Sequence, residues 1–135
     1  MPKISVIKKA KASRLSAQLV SPFRTALGQH DILENVLFMI ELNDGTKGFG
    51  EAGVAPHITG ETFDQTLRSL SRAGEELVGQ DASNFLRISS EFGEKLCANP
   101  CALAALETAL LDALTRQWKI PLWKFFRRLV LSCGC

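Results

Sequence analysis

Residues 48–53 read GFGEAG, which fits the letters G-x-G-x-x-G. A dinucleotide fingerprint of that form needs a helix directly after its glycines, because the helix N-terminus holds the pyrophosphate. Here Pro56 follows instead, helix signals begin only near Thr59, and Glu51 would set a carboxylate inside the phosphate turn. No β-α-β alternation surrounds the motif. The glycines therefore read as part of a strand, placed for a bulge or for the close approach of another backbone.

That strand is the return arm of a hairpin. Asp44-Gly45, within NDGT, is a turn signal because both central positions of such a turn tolerate positive φ. Ahead of it, ILENVLFMIEL puts Val36, Phe38 and Ile40 on one face. The N-terminal ISVIKKAKASRLSAQLV alternates apolar and basic positions, as a strand with a solvated face would. Between them, SPFRTALGQH reads as a loop, since Pro22 lacks a ladder N–H and Gly28 allows a tight bend. Together these pieces predict an antiparallel three-stranded meander.

Beyond the meander the spacing turns helical. VAPHITGET reads as an irregular loop, and loops at such junctions commonly carry binding residues. Phe63, Leu67, Leu70 and Leu77 form one stripe, with Thr59 or Thr62 as its cap. Phe85, Ile88, Phe92 and Leu96 form a second after Ser83 or Asn84. Asn99-Pro100 is a helix start in which Asn99 is expected to accept the free N–H groups. In the helix that follows, Ala102, Ala105, Ala109 and Ala113 make a narrow face that lets another backbone come close. IPLWKFF begins a short fourth helix. The fold class is α+β: the meander followed by a bundle of three to four helices, in one domain.

Composition agrees with a globular chain. Its 135 residues are 46% apolar and 22% charged, with a net charge of +2. So small a charge suggests no nucleic-acid partner. Lys3, Lys8, Lys9, Lys11, Arg14 and Arg24 all precede the first acidic residue, Asp31. This run reads as a solvated basic strand, with an anion-binding edge or a targeting segment as alternatives. No apolar run is long enough to span a bilayer, so no membrane partner and a cytoplasmic location are expected. Cys97, Cys101, Cys133 and Cys135 are spaced C-x3-C and C-x-C, a poor match to a zinc site, and read as free thiols. Asp112 is expected to pair with Arg116 one turn on, and Glu107 to be structural. Glu51 is expected to bond nearby backbone or a basic side chain.

The order of these pieces resembles the N-terminal capping domain of the enolase superfamily, in its mandelate racemase/muconate-lactonizing branch. DGTKGFGEA, ITGET, NPCALAALETALLDAL and IPLWKFF carry the resemblance, from about Ile4 to about Phe126. SPFRTAL together with ITGET is similar to the dipeptide epimerases of the L-Ala-D/L-Glu type. The resemblance implies a cap over residues 1–126, with residues 127–135 diverging where a barrel domain would begin. It implies that the barrel supplies the lysines that move the α-proton and the carboxylates that hold Mg2+. The cap would contribute two loops that close over a small carboxylate or dipeptide substrate, here Phe23 to Gln29 and Val54 to Gly60.

On those loops the resemblance places Phe23 as an apolar wall and Arg24 or Thr25 toward a substrate carboxylate. His57, Ile58 and Thr59 would line the second loop. In dipeptide-epimerase relatives a basic residue can follow the Thr-Ala-Leu run, whereas Gly28 stands there in this chain. No catalytic residue, metal ligand or cofactor is assigned to these residues, because no K-x-K pair or carboxylate series follows Phe126. The chain thus reads as a truncated cap, inactive alone, whose exposed apolar surface favours self-association. Caps of muconate cycloisomerase or o-succinylbenzoate synthase-like enzymes, and a non-catalytic interaction module, are the alternatives.

Overall fold

The structure, a computed structural model, describes the backbone of residues 4–26 and 28–132, with side chains as far as residue 127. Lys3, Cys133 and Cys135 lie outside the described residues. Three strands, β1 (Ile7–Thr25), β2 (Gly28–Leu42) and β3 (Lys47–Ala52), form an antiparallel sheet in the order β1-β2-β3. Five helices follow: α1 (Pro56–Thr59), α2 (Phe63–Leu77), α3 (Phe85–Lys95), α4 (Pro100–Gln117) and α5 (Leu122–Ser132). The expected α+β class and meander are present. α1 is a single turn inside the stretch read as irregular loop, and α5 runs on past Phe126.

The sheet packs its apolar face against the helices. Val36, Phe38, Ile40 and Leu42 alternate along β2 and are fully buried, with Ile7 and Ala52 beside them. Burying each of the larger side chains contributes about 1.5–3 kcal/mol. Leu70 and Leu77 of α2, Ile88 and Phe92 of α3, and Leu106, Leu110 and Leu114 of α4 complete the core. The turn between β2 and β3 needs positive φ only at Gly45 (86°), while the Asp44 carboxylate accepts the Thr46 N–H at 3.0 Å.

The glycines of GFGEAG meet the alanine face of α4. A Cβ on Gly48 would fall 2.3 Å from the backbone N of Ala113 and 2.4 Å from the carbonyl of Ala109. A Cβ on Gly50 would fall 1.9 Å from the carbonyl of Ala105. Hydrogen is the only side chain these positions accept, so the helix axis lies directly on the sheet. The same region explains Asp112. Its carboxylate accepts the Phe49 N–H at 2.9 Å and the Arg116 Nε–H at 2.8 Å. Glu107 accepts a hydrogen bond from the Ser89 hydroxyl.

Three local expectations change. SPFRTALGQH is mostly strand: Phe23, Arg24 and Thr25 pair with His30, Gln29 and Gly28. Pro22 is accommodated because Leu19 to Pro22 bulge out of register opposite Asp31, where no ladder N–H is required of it. Asn99 occupies the N-cap of α4 but makes no side-chain cap bond. Glu61 accepts the Cys101 N–H at 2.9 Å instead. Glu51 accepts from the Asn35 amide at 2.6 Å rather than from backbone or a cation. Thr62, not Thr59, caps α2: its hydroxyl accepts the Gln65 N–H and the Gln65 side chain accepts the Thr62 N–H, a reciprocal capping box.

Candidate functional site

The β1–β2 hairpin is longer than the core it covers. From Gly28 to Ile32 the side chains of β2 are exposed, and burial begins only at Asn35. The overhanging half, beyond the bulge, faces the segment between β3 and α2. A cleft of about 490 Å³ lies between them. Leu19, Phe23, Ile32 and Leu33 line its hairpin side, and Val54, Pro56, Ile58 and Phe63 the other. Phe23, Ile32 and Ile58 remain 61%, 62% and 67% exposed, so the apolar walls are open to an occupant.

The second wall is anchored at both ends. At its start, the buried Asn35 accepts the Val54 N–H at 3.1 Å while donating to Glu51. This amide fixes the direction in which the chain leaves β3. Pro56 opens α1 at a position where a missing N–H costs nothing. Gly60 closes it with φ 78°, its N–H returning to the Pro56 carbonyl at 2.9 Å.

At its end, Glu61 is buried and ties the segment to α4. Its carboxylate accepts from the Cys101 N–H and, at 2.7 Å, from Asn99 Nδ2, which also reaches Thr66 Oγ1 at 3.1 Å. Burial opposes ionisation of Glu61. The hydrogen bonds from Cys101, Asn99 and Thr59 outweigh it and hold the carboxyl below its usual range. Burial, with the neighbouring Glu61 charge, pushes the half-exposed Cys101 thiol up, so it is a poor nucleophile. Cys97 is exposed and free.

Between the anchors, His57 of α1 stacks on His30 of β2, with ring centroids 4.6 Å apart and planes 27° apart. Sequence reading kept these histidines in separate loops, whereas both line the cleft. Glu34 is the cleft's carboxylate and is held by Arg14, whose guanidinium also sits 4.1 Å over the Phe63 ring.

Of the sequence-derived candidates, Phe23, His57 and Ile58 line the cleft. Arg24 and Thr25 lie toward the hairpin end and Thr59 faces its own loop, accepting the Glu61 N–H at 3.3 Å. Arg24 is exposed and makes no ion pair among the described residues. Asn35, Glu61 and His30 were missed. An Asn inside the apolar run of β2, and a Glu directly after Gly60, were the signals available.

Chemically the cleft can enclose an apolar group and present two imidazoles to it. Among the described residues, no three His, Cys, Asp or Glu side chains gather as a metal site. No described helix is long and apolar enough to cross a membrane.

Comparison with known proteins agrees with this architecture. Residues 9–126 match the mandelate racemase / muconate lactonizing enzyme N-terminal domain. A hydrophobic dipeptide epimerase of Citrifermentans bemidjiense is 46% identical over 120 residues, which cover 89% of this chain and 33% of that protein. An aromatic dipeptide epimerase of Herpetosiphon aurantiacus is 34% identical over 122 residues, covering 90% of this chain and 34% of its own length. The structure of a dipeptide epimerase from Enterococcus faecalis, complexed with Mg and dipeptide L-Leu-L-Tyr, superposes with a TM-score of 0.83 at 28% identity. That superposition covers 89% of this chain and 34% of the other. The chain thus spans about a third of the length of the relatives it matches. With its meander, its helical layer and its matched residues 9–126, the chain belongs to the mandelate racemase / muconate lactonizing enzyme N-terminal domain family.

Proposed function

We propose that residues 1–126 act as the substrate-enclosing cap of a dipeptide epimerase, with residues 127–135 outside the cap proper. The carrying observation is the open apolar cleft between the hairpin overhang and the α1 segment. Phe23 and Ile58 would flank a substrate side chain and exclude water from it, which strengthens every electrostatic interaction made nearby. His57 would face the substrate from α1. Arg24 and Thr25 would meet a substrate carboxylate only from the hairpin end. Thr59 would keep the segment closed by bonding Glu61.

The apolar walls favour a hydrophobic dipeptide over an acidic one such as Ala-Glu. The name of the 46% identical relative supports the same class. The described residues do not fit Mg2+: the cleft's carboxylate, Glu34, is committed to Arg14. No step is therefore assigned to a metal on these residues. The work of these residues is binding, orientation and water exclusion, and proton transfer at the α-carbon would fall to a companion barrel domain.

A chimera in which residues 1–126 replace the cap of the Enterococcus faecalis enzyme tests this. In D2O with Mg2+ and L-Leu-L-Tyr, the chimera should place deuterium at the α-carbon and this chain alone should not. Deuterium incorporation by the chain alone, or a folded chimera without turnover, would refute the reading.

A further inference from the structure

α1 buries none of its residues. It is held at its two ends, by Asn35 through Val54 and by Glu61. Across its middle, the ring contact between His57 and His30 joins it to the hairpin. Two neutral imidazoles stack favourably at this spacing, as aromatic rings do. Two imidazolium rings at 4.6 Å repel each other instead.

The charged groups around the pair offer little relief. Glu34 is engaged by Arg14, and Asp31 accepts from Gln29 Nε2 at 3.1 Å. Glu61, beyond α1, is spent on Cys101 and Asn99. Arg24 pairs with Gln29 and alternates to the face opposite Phe23 and His30, so it does not enter the contact. Histidine is the side chain whose charge ordinarily changes between about pH 5 and 8.

We propose that His30 and His57 form a pH-responsive latch, holding α1 against the hairpin across the cleft when both rings are neutral and releasing it when both are protonated. The latch belongs to the chain by itself. Its effect on substrate entry rests on the capping role proposed above, so its test uses no substrate.

Amide protection factors, corrected for intrinsic exchange, read the latch directly in residues 28–32 and 57–60. Protection should fall about fivefold or more from pH 8 to pH 5 as the local opening becomes easier. His30→Phe/His57→Phe keeps a stacked pair without the charge and should lose the pH response while keeping protection. His57→Gln should be poorly protected at both pH values. Equal protection of the wild-type segments at pH 8 and pH 5, or the same pH response in the double Phe variant, would overturn the latch. Neither result would bear on whether the cleft accepts a dipeptide, which the chimera reads separately.

Discussion

Gly50→Ala isolates the contact between β3 and α4. The added Cβ would lie 1.9 Å from the Ala105 carbonyl oxygen and 2.8 Å from its carbon. Both atoms are backbone, so no side-chain rotation clears the space. Restoring an ordinary contact requires the helix to withdraw by about 1.5 Å, pulling Leu106 and Leu110 from the sheet. Overpacking usually costs about 1–3 kcal/mol, and a contact that cannot yield belongs at or above the top of that range. Against a total stability of about 5–15 kcal/mol this is a large fraction. Gly50 does not have positive φ, so the backbone itself tolerates alanine and the effect is one of space. Gly53→Ala is the control, because nothing lies within 4 Å of its Cβ. It should stay within about 0.5 kcal/mol of wild type. Urea unfolding followed by far-ultraviolet circular dichroism should show the Gly50→Ala midpoint lowered by about 1.5 M, for a slope near 2 kcal/mol/M. Adding Ala105→Gly should not rescue it, since the obstructing atoms remain. A Gly50→Ala midpoint within error of Gly53→Ala, or rescue by Ala105→Gly, would refute the reasoning.

Two further outcomes follow from the buried carboxylate and the exposed apolar side chains. Glu61 has its folded pKa depressed below that of an ordinary glutamate, so its stabilisation is fully present above the unfolded pKa and is lost as pH falls through the lower folded value. Glu61→Gln should therefore cost about 1.5–3 kcal/mol at pH 7, the worth of a charged hydrogen bond, with the gap to wild type closing as pH falls through that depressed folded value. Urea midpoints from pH 7 to pH 3 measure it, and a constant gap would count against the bond. Trp123 and Phe126 on α5 are 60% and 47% exposed, and the isolated chain should self-associate through them. Light scattering at rising concentration should show mass growth that Trp123→Ser/Phe126→Ser suppresses, and a concentration-independent monomer would contradict it.

Periodicity made the strands, the helices and the two small-residue faces legible. The glycines of β3 and the alanines of α4 were each read as sites of close approach. That they meet one another is a tertiary fact, because period alone does not name the partner of a face. Pro22 and Gly28 read as loop breakers, yet a bulge let the strand continue around the proline. Asn99 was correctly placed at a helix start, but the bond there comes from Glu61, distant in sequence, and local capping rules do not anticipate it. Phe23, His57 and Ile58 were placed on two separate segments by the resemblance, and they line one cleft in the folded chain. His30 was not, because its relation to His57 exists only once the hairpin is long enough to overhang.

Asp112 has a consequence for how copies of this chain meet. β3 is the last strand, and a neighbour seeking to lengthen the sheet would have to recruit the Phe49 amide. That donor is already taken, and a carboxylate stands where the newcomer's carbonyl would need to go. At this position the β3 edge is closed by the helix packed on the sheet, so a further strand could pair along β3 only after breaking the Asp112 bond.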